Sequence, residues 1–249
     1  MDATTRSAAD SDRPASHIHP GAGQPVPLAL LLLLDARSPA GAQHHSGGME
    51  AAVRAGFVTD VDGVARFCRA RLHTSGRTAA AFAAAACRMW LTGASPGQWR
   101  DLDGELDART PSEATRAASR ALGAGLRRLL FATRPADVDA LRTAWAQVHD
   151  PAPHHPLVLG AGTALTGGDP HHAARAAALA ACTSPASAAL RLLGLDPYAV
   201  HTVLADLTPE IEAVADDAAR SEHLPATCAP ALDLLADVHA REEARLFAS

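Results

Sequence analysis

Histidine carries most of the chemical potential in this 249-residue chain: thirteen are present, and they include three adjacent pairs, His44-His45, His154-His155 and His171-His172. Imidazole suits nickel, copper and zinc. Neighbours on a helix point about 100° apart, however, so one adjacent pair seldom turns both rings toward one ion as an i, i+4 pair would. The spacing therefore reads as solvated histidines in loops and helix starts, ahead of transient metal contacts and of a firm metal site. A metalloenzyme would need donors converging from separate segments, for example His154, His155 and Glu113, because no local spacing provides three.

Other reactive groups are equally uncommitted. Cys68, Cys87, Cys182 and Cys228 lie far apart in apolar stretches without C-x-x-C or metal-ligand spacing. They read as buried, reduced thiols. All 22 basic residues are arginine, so no phosphate-binding loop with its lysine and no Schiff-base lysine can exist. No G-x-S-x-G, H-E-x-x-H or strand-borne G-x-G-x-x-G is present either. A net charge of -5 gives no clustered basic surface for nucleic acid. The expectation is a protein without catalytic residues of its own.

The elements that position these residues are helical. Hydrophobic residues make up 48% of the chain but aromatic ones only 4%, so the core must be built from alanine, leucine and valine, which suits closely approaching helices. Apolar residues recur at helical spacing from Pro27 onward, and no run of alternating β-branched residues suggests a strand. The reading is an all-α, single-domain bundle of about ten helices over residues 27–249, preceded by a flexible Ser, Asp, Pro and Gly rich extension over 1–26. The apolar run Val26–Leu34 is too short to span a bilayer, and Asp2, Asp10 and Asp12 before it do not make a secretory signal. It reads as a buried first helix, and the location as cytoplasmic.

Helix starts are marked by capping residues. Asp60 can cap a helix holding Val64, Phe67, Cys68 and Leu72, and Asp169-Pro170 opens one that is nearly all alanine through Ala181. Thr110-Pro111-Ser112-Glu113 has the form of a capping box. The helix it starts would carry Ala114, Ala118, Leu122, Leu126 and Leu129 on one face, with Arg116, Arg120 and Arg127 lying away from that stripe. Thr208-Pro209-Glu210 caps another, and Leu232, Leu235, Val238 and Leu246 form a last stripe ending near Ser249.

The segment from Gly41 through His44, His45, Ser46, Gly47, Gly48 and Met49 to Glu50 is the least ordinary. Its glycines permit close backbone approach, and Ser46 can cap a helix with Glu50 in its first turns. It reads either as a plain turn and cap or as a surface that another chain approaches.

With four further blocks, this segment resembles the urease accessory protein UreF family. The first block is Pro39-x-Gly41, His45-Ser46-Gly47-Gly48-Met49-Glu50 and Ala55-Gly56-x-Val58-x-Asp60. The second runs from Asp103 through Leu106, Ala108 and Arg109 to Glu113, Arg116, Ser119, Arg120 and Gly123. The others are His155-Pro156 with Gly160, Ser187 to Pro197 including Arg191, and the tail with His239 and Arg245-Leu246-Phe247-x-Ser249. Ala240, Glu243, Ala244 and Ala248 depart from the usual tail.

The resemblance implies an all-helical, UreF-like chaperone that pairs as a dimer, binds UreD (also called UreH), recruits the GTPase UreG and docks on the urease apoprotein subunits. No firmly bound cofactor is implied, nickel being handled by the assembled complex. Carried over by motif, Glu50, Arg191, Arg245, Leu246 and Phe247 are expected at partner-binding surfaces, and His44, His45 and Ser46 along a passage for nickel. The alternatives are an all-helical metalloenzyme built on the histidine clusters, or a generic helical adaptor without urease partners.

Overall fold

The computed structural model describes residues 25–35, 38, 45–148 and 152–240. Nearly all of the anticipated extension, and the tail after residue 240, lie outside the described residues. In chain order the α-helices are α1 (Leu28–Leu33), α2 (Met49–Arg54), α3 (Val61–Arg71), α4 (Arg77–Thr92), α5 (Pro96–Ala108) and α6 (Glu113–Thr133). They continue with α7 (Val138–Ala144), α8 (His155–Leu165), α9 (Pro170–Leu193), α10 (Pro197–Asp206), α11 (Thr208–Arg220) and α12 (Pro230–His239). Among the described residues there is no strand, and the all-α class read from the sequence is correct. A π-turn, Leu72–Gly76, joins α3 to α4 in one rod.

Alanine makes the core. Ala80, Ala83, Ala84 and Ala86 on α4 are fully buried, and α4 packs on α8, α9 and α11. At the α4–α8 crossing a Cβ on Gly160 would lie 2.2 Å from the carbonyl oxygen of Ala83, so the two backbones touch and only glycine fits. The few aromatics fill wider gaps, with Trp99 and Trp145 edge to face at 6.2 Å. Helix α9 is long and apolar enough to cross a membrane by length and composition, yet half of that stretch is buried inside the fold. It also runs past Ala181 to Leu193, across Pro185, which removes one of its backbone hydrogen bonds.

Several local expectations hold and several change. Asp60 accepts from Gly63 N at 2.7 Å, and Asp169 forms a reciprocal capping box with His172. The Thr110 box does not form: Ser112 caps α6 by accepting from Thr115 N, while Thr110 Oγ1 donates to Leu106 O. Asp237 on α12 accepts from Ser112 Oγ at 2.6 Å and Ala114 N at 3.1 Å, so a carboxylate from another helix joins Glu113 at this helix start and makes the hydrogen bonds to it. Thr208 likewise donates back to Leu204 O, and α11 starts without a side-chain cap.

Burial also corrects the pattern reading. Only Leu30 and Leu33 of α1 are buried, while Leu28, Leu31 and Leu32 are exposed, because a six-residue helix that is apolar all round can turn only one edge onto α8. Leu234 and Val238 on α12 are exposed, and its buried positions are Ala236 and His239. Cys228 is exposed in the non-helical segment before α12, whereas Cys68, Cys87 and Cys182 are buried as expected. The Cys68 and Cys182 thiols each point at the other's backbone carbonyl, and burial pushes them up to about 12 and about 11, keeping both protonated.

Candidate partner-binding site

The Gly47-Gly48 turn sets the entry to α2. Gly47 has φ 61° and Gly48 φ 88°, the left-handed region that glycine adopts without a Cβ clash. Gly48, not Ser46, is the N-cap residue, and Ser46 Oγ is buried with no hydrogen-bond partner among the described residues. Glu50 follows in the first turn of α2, as anticipated, where a carboxylate meets the positive end of the helix.

Glu50 is 1% exposed and faces the interior. Its Oε1 accepts from Arg54 at 2.9 Å, and its Oε2 lies 3.3 Å from His239 Nε2 on α12. The pair ties the helix behind the glycine turn to the helix that leads into the C-terminal tail. Arg191, by contrast, is exposed in the last turn of α9, where a cation complements the helix end. The expected site residues therefore fall in two places, one inside and one outside. Arg245, Leu246, Phe247 and His44 lie outside the described residues.

A cavity of about 310 Å³ opens beside the glycine turn. His45 and His155 line it, and burial, reinforced by the charge of nearby His45, holds the His155 imidazole down at about 4. Arg71, at the end of α3, and Asp233, on α12, line it as well.

A second polar cluster lies under α8. Arg120 donates to Asp103 at 3.0 Å, to Asp107 at 2.7 Å and to the carbonyl of Ala152 at 2.9 Å. His154 donates its backbone N–H to Asp103 at 3.0 Å, and its ring Nε2 lies 2.8 Å from Asp107. Burial drives the His154 imidazole below its ordinary pKa, against the opposing pull of Asp107. Partial burial works to raise Asp107, but the hydrogen bonds from His154 and Arg120 prevail and its pKa is lowered.

The expectation that Arg120 turns outward is thus wrong, because two carboxylates from α5 pull it in. The paired histidines stand at helix starts as read, His154-His155 at α8 and His171-His172 at α9, but they are not all solvated: His154 and His172 are buried, and His171 pairs with Asp216. Among the described residues one group of three possible metal donors lies close together, Asp103, Asp107 and His154. Arg120 already sits between the two carboxylates with its own positive charge, so the group is an ion-pair cluster that opposes a second cation. His154, His155 and Glu113 do not form such a group, and Glu113 is exposed.

Reading by motif marked Asp103, Arg120 and His239 without indicating their partners, Asp103 with Arg120 in one place and His239 with Glu50 in another. Gly123 is required because a Cβ there would lie 2.0 Å from the carbonyl oxygen of Pro153, in the segment that places His154. Arg71, Asp107 and Asp237 were missed. No local spacing points to them, since each acts across helices distant in sequence.

Comparison with known proteins identifies the family. The UreF family model matches residues 58–208. A urease accessory protein UreF of Mycobacterium marinum is 42% identical over 224 residues, 89% of this chain and 99% of that protein. That of Mycolicibacterium vanbaalenii is 40% identical over 221 residues, 88% of this chain and 97% of the relative, and that of Mycobacterium tuberculosis strain H37Rv is 39% identical over 220 residues with the same coverage. With a family-model match over more than half its length and relatives matched almost end to end, the chain belongs to the UreF family of urease accessory proteins.

Proposed function

We propose that this chain is a non-catalytic helical chaperone of urease maturation, working in the cytoplasm as a dimer that bridges UreD/UreH and the GTPase UreG on the urease apoprotein and helps nickel reach the active site. The near full-length match to relatives named urease accessory protein UreF carries the reading. The absence of lysine adds to it, because conventional phosphate-loop chemistry must then reside in a partner.

In this reading Arg191 is a surface contact for a partner, and Arg245, Leu246 and Phe247 belong to a tail that packs on UreD. Glu50 acts from inside, by fixing α12 through His239 and so setting where that tail leaves the body. Nickel is cargo, passed along His44, His45 and Ser46 rather than stored. The position of His45 on a cavity wall beside a neutral His155 is consistent with brief contacts of that kind.

The test is co-expression with UreD/UreH and UreG, followed by affinity purification and assay of urease activation. A stable complex that activates urease is expected, and failure to retain either partner removes the bridging role. Calorimetric titration should find weak nickel binding, since tight stoichiometric binding would make the site a store.

A further inference from the structure

The cavity beside the glycine turn has walls from α1, α6, α8, α9 and α12, and Arg71 reaches it from the end of α3 just before the π-turn. Its walls are mainly apolar, with Leu33, Leu106, Leu122, Leu126, Leu159 and Leu232 among them. Its volume of about 310 Å³ is at the lower end of the range typical of small-molecule pockets.

Arg71 is out of place in such walls. Its guanidinium makes no hydrogen bond or ion pair among the described residues, and its Nε is fully buried. It lies against the turn at Gly47, where an added Cβ would come 3.3 Å from Arg71 Cζ. The other arginine on the wall, Arg109, is already engaged, paired with Glu105 and placed over the Phe82 ring at 5.8 Å.

Burial drives the Arg71 guanidinium below its ordinary pKa, the mark of a cation without full compensation. Asp233 shares the cavity, but burial and the neighbouring Asp237 raise its own pKa, which weakens it as a counter-charge. Asp233 attracts the half-buried Arg71 only through space, with no hydrogen bond between them, and a planar guanidinium matches a planar carboxylate through two parallel hydrogen bonds.

We propose that the cavity binds a small amphiphilic monocarboxylate, its anionic head paired with the Arg71 guanidinium and its short aliphatic chain lying on the leucine and alanine walls. One unengaged guanidinium in mainly apolar walls suits one delocalised charge better than a phosphate, whose second charge and hydrated oxygens would find little to replace water. Walls drawn from so many helices favour a small molecule over a protein segment, which would have to thread between them.

The full-length purified chain is titrated with octanoate, octanol and inorganic sulfate, by calorimetry and by thermal unfolding. Saturable one-to-one binding of octanoate is expected, with octanol at least tenfold weaker and sulfate without effect. Arg71→Met should weaken octanoate at least tenfold, leave octanol unchanged and melt no lower than the wild-type chain without ligand, because it removes an uncompensated charge. Absence of saturable octanoate binding, octanol equal to octanoate, or undiminished octanoate affinity in Arg71→Met each overturns the proposal. The octanoate and octanol comparison uses the wild-type chain alone, so it decides the matter even if Arg71→Met fails to fold.

Discussion

Glu50 Oε2 lies 3.3 Å from His239 Nε2, and the two residues, at 1% and 2% exposed, join the second helix of the fold to its last described one. A surface carboxylate could be lost with little effect on stability, but one enclosed with its partners cannot. Glu50→Ala should therefore lower unfolding free energy by about 3 kcal/mol, because His239 and Arg54 lose a buried acceptor. Urea titration of the purified variant measures this. Loss of urease activation with unchanged stability would instead place Glu50 in direct contact with a partner.

Acid should weaken the fold well before the carboxylates protonate. His155 is held neutral down to about 4, while in the unfolded chain it takes up a proton near 6.5. Between those values the unfolded state binds more protons, so stability falls as pH falls. The interval of about 2.5 pH units is worth about 3 kcal/mol for His155 alone, and His154, whose pKa is also lowered, acts in the same direction. Asp107, with its pKa lowered, adds a further loss only below its ordinary range near 4. Melting temperatures between pH 7.5 and 4.5 should drop steeply for the wild-type chain and less for His155→Gln.

Arg120→Leu tests the interior ion-pair cluster. It leaves Asp103, 2% exposed, beside Asp107 without the shared cation, and breaking such a buried pair costs about 3–5 kcal/mol. Raising one carboxyl pKa is the way the site can relax, so the variant should recover part of the loss as pH is lowered toward 5, opposite in sign to the wild-type trend. Chemical denaturation at two pH values distinguishes this from a plain packing defect, which would follow the wild-type slope.

The helical class was legible because alanine, leucine and capping residues act locally: Asp60 and Asp169 each cap the helix beside them. The interior was less so. Arg120 looked solvent-facing from its place on the helical stripe, and only the fold brings Asp103 and Asp107 to it from α5. Thr110 fitted a capping pattern, yet Ser112 caps the helix, and Asp237, more than a hundred residues away, accepts from Ser112 Oγ and Ala114 N. Motif likeness flagged Gly123 and Gly160 correctly but gave no reason. The reason is backbone contact across helices, which periodicity does not record.

Gly160→Ala should be among the most damaging small changes. The new methyl would lie 2.2 Å from Ala83 O and 2.7 Å from Ala86 Cβ, both on α4, so neither can swing aside as a flexible side chain would. Overpacking in a tight core costs about 1–3 kcal/mol, and a clash with backbone belongs above that range. Loss of soluble protein, or a melting temperature lowered by more than about 10 °C, is expected. A near-wild-type melt would mean that α4 and α8 can separate, and the close crossing would not be the core of the fold.

Arg191→Ala separates recognition from folding. Arg191 is exposed in the last turn of α9, and substitutions of that kind usually change stability by less than about 0.5 kcal/mol. If the residue meets a partner, the variant should melt like the wild-type chain while retaining less UreD/UreH or UreG in affinity purification and activating urease more slowly. A guanidinium makes directed hydrogen bonds that an ammonium cannot copy, so Arg191→Lys should recover only part of the activity. Full recovery by lysine would reduce the role to general charge, and an unaltered alanine variant would remove Arg191 from the interface.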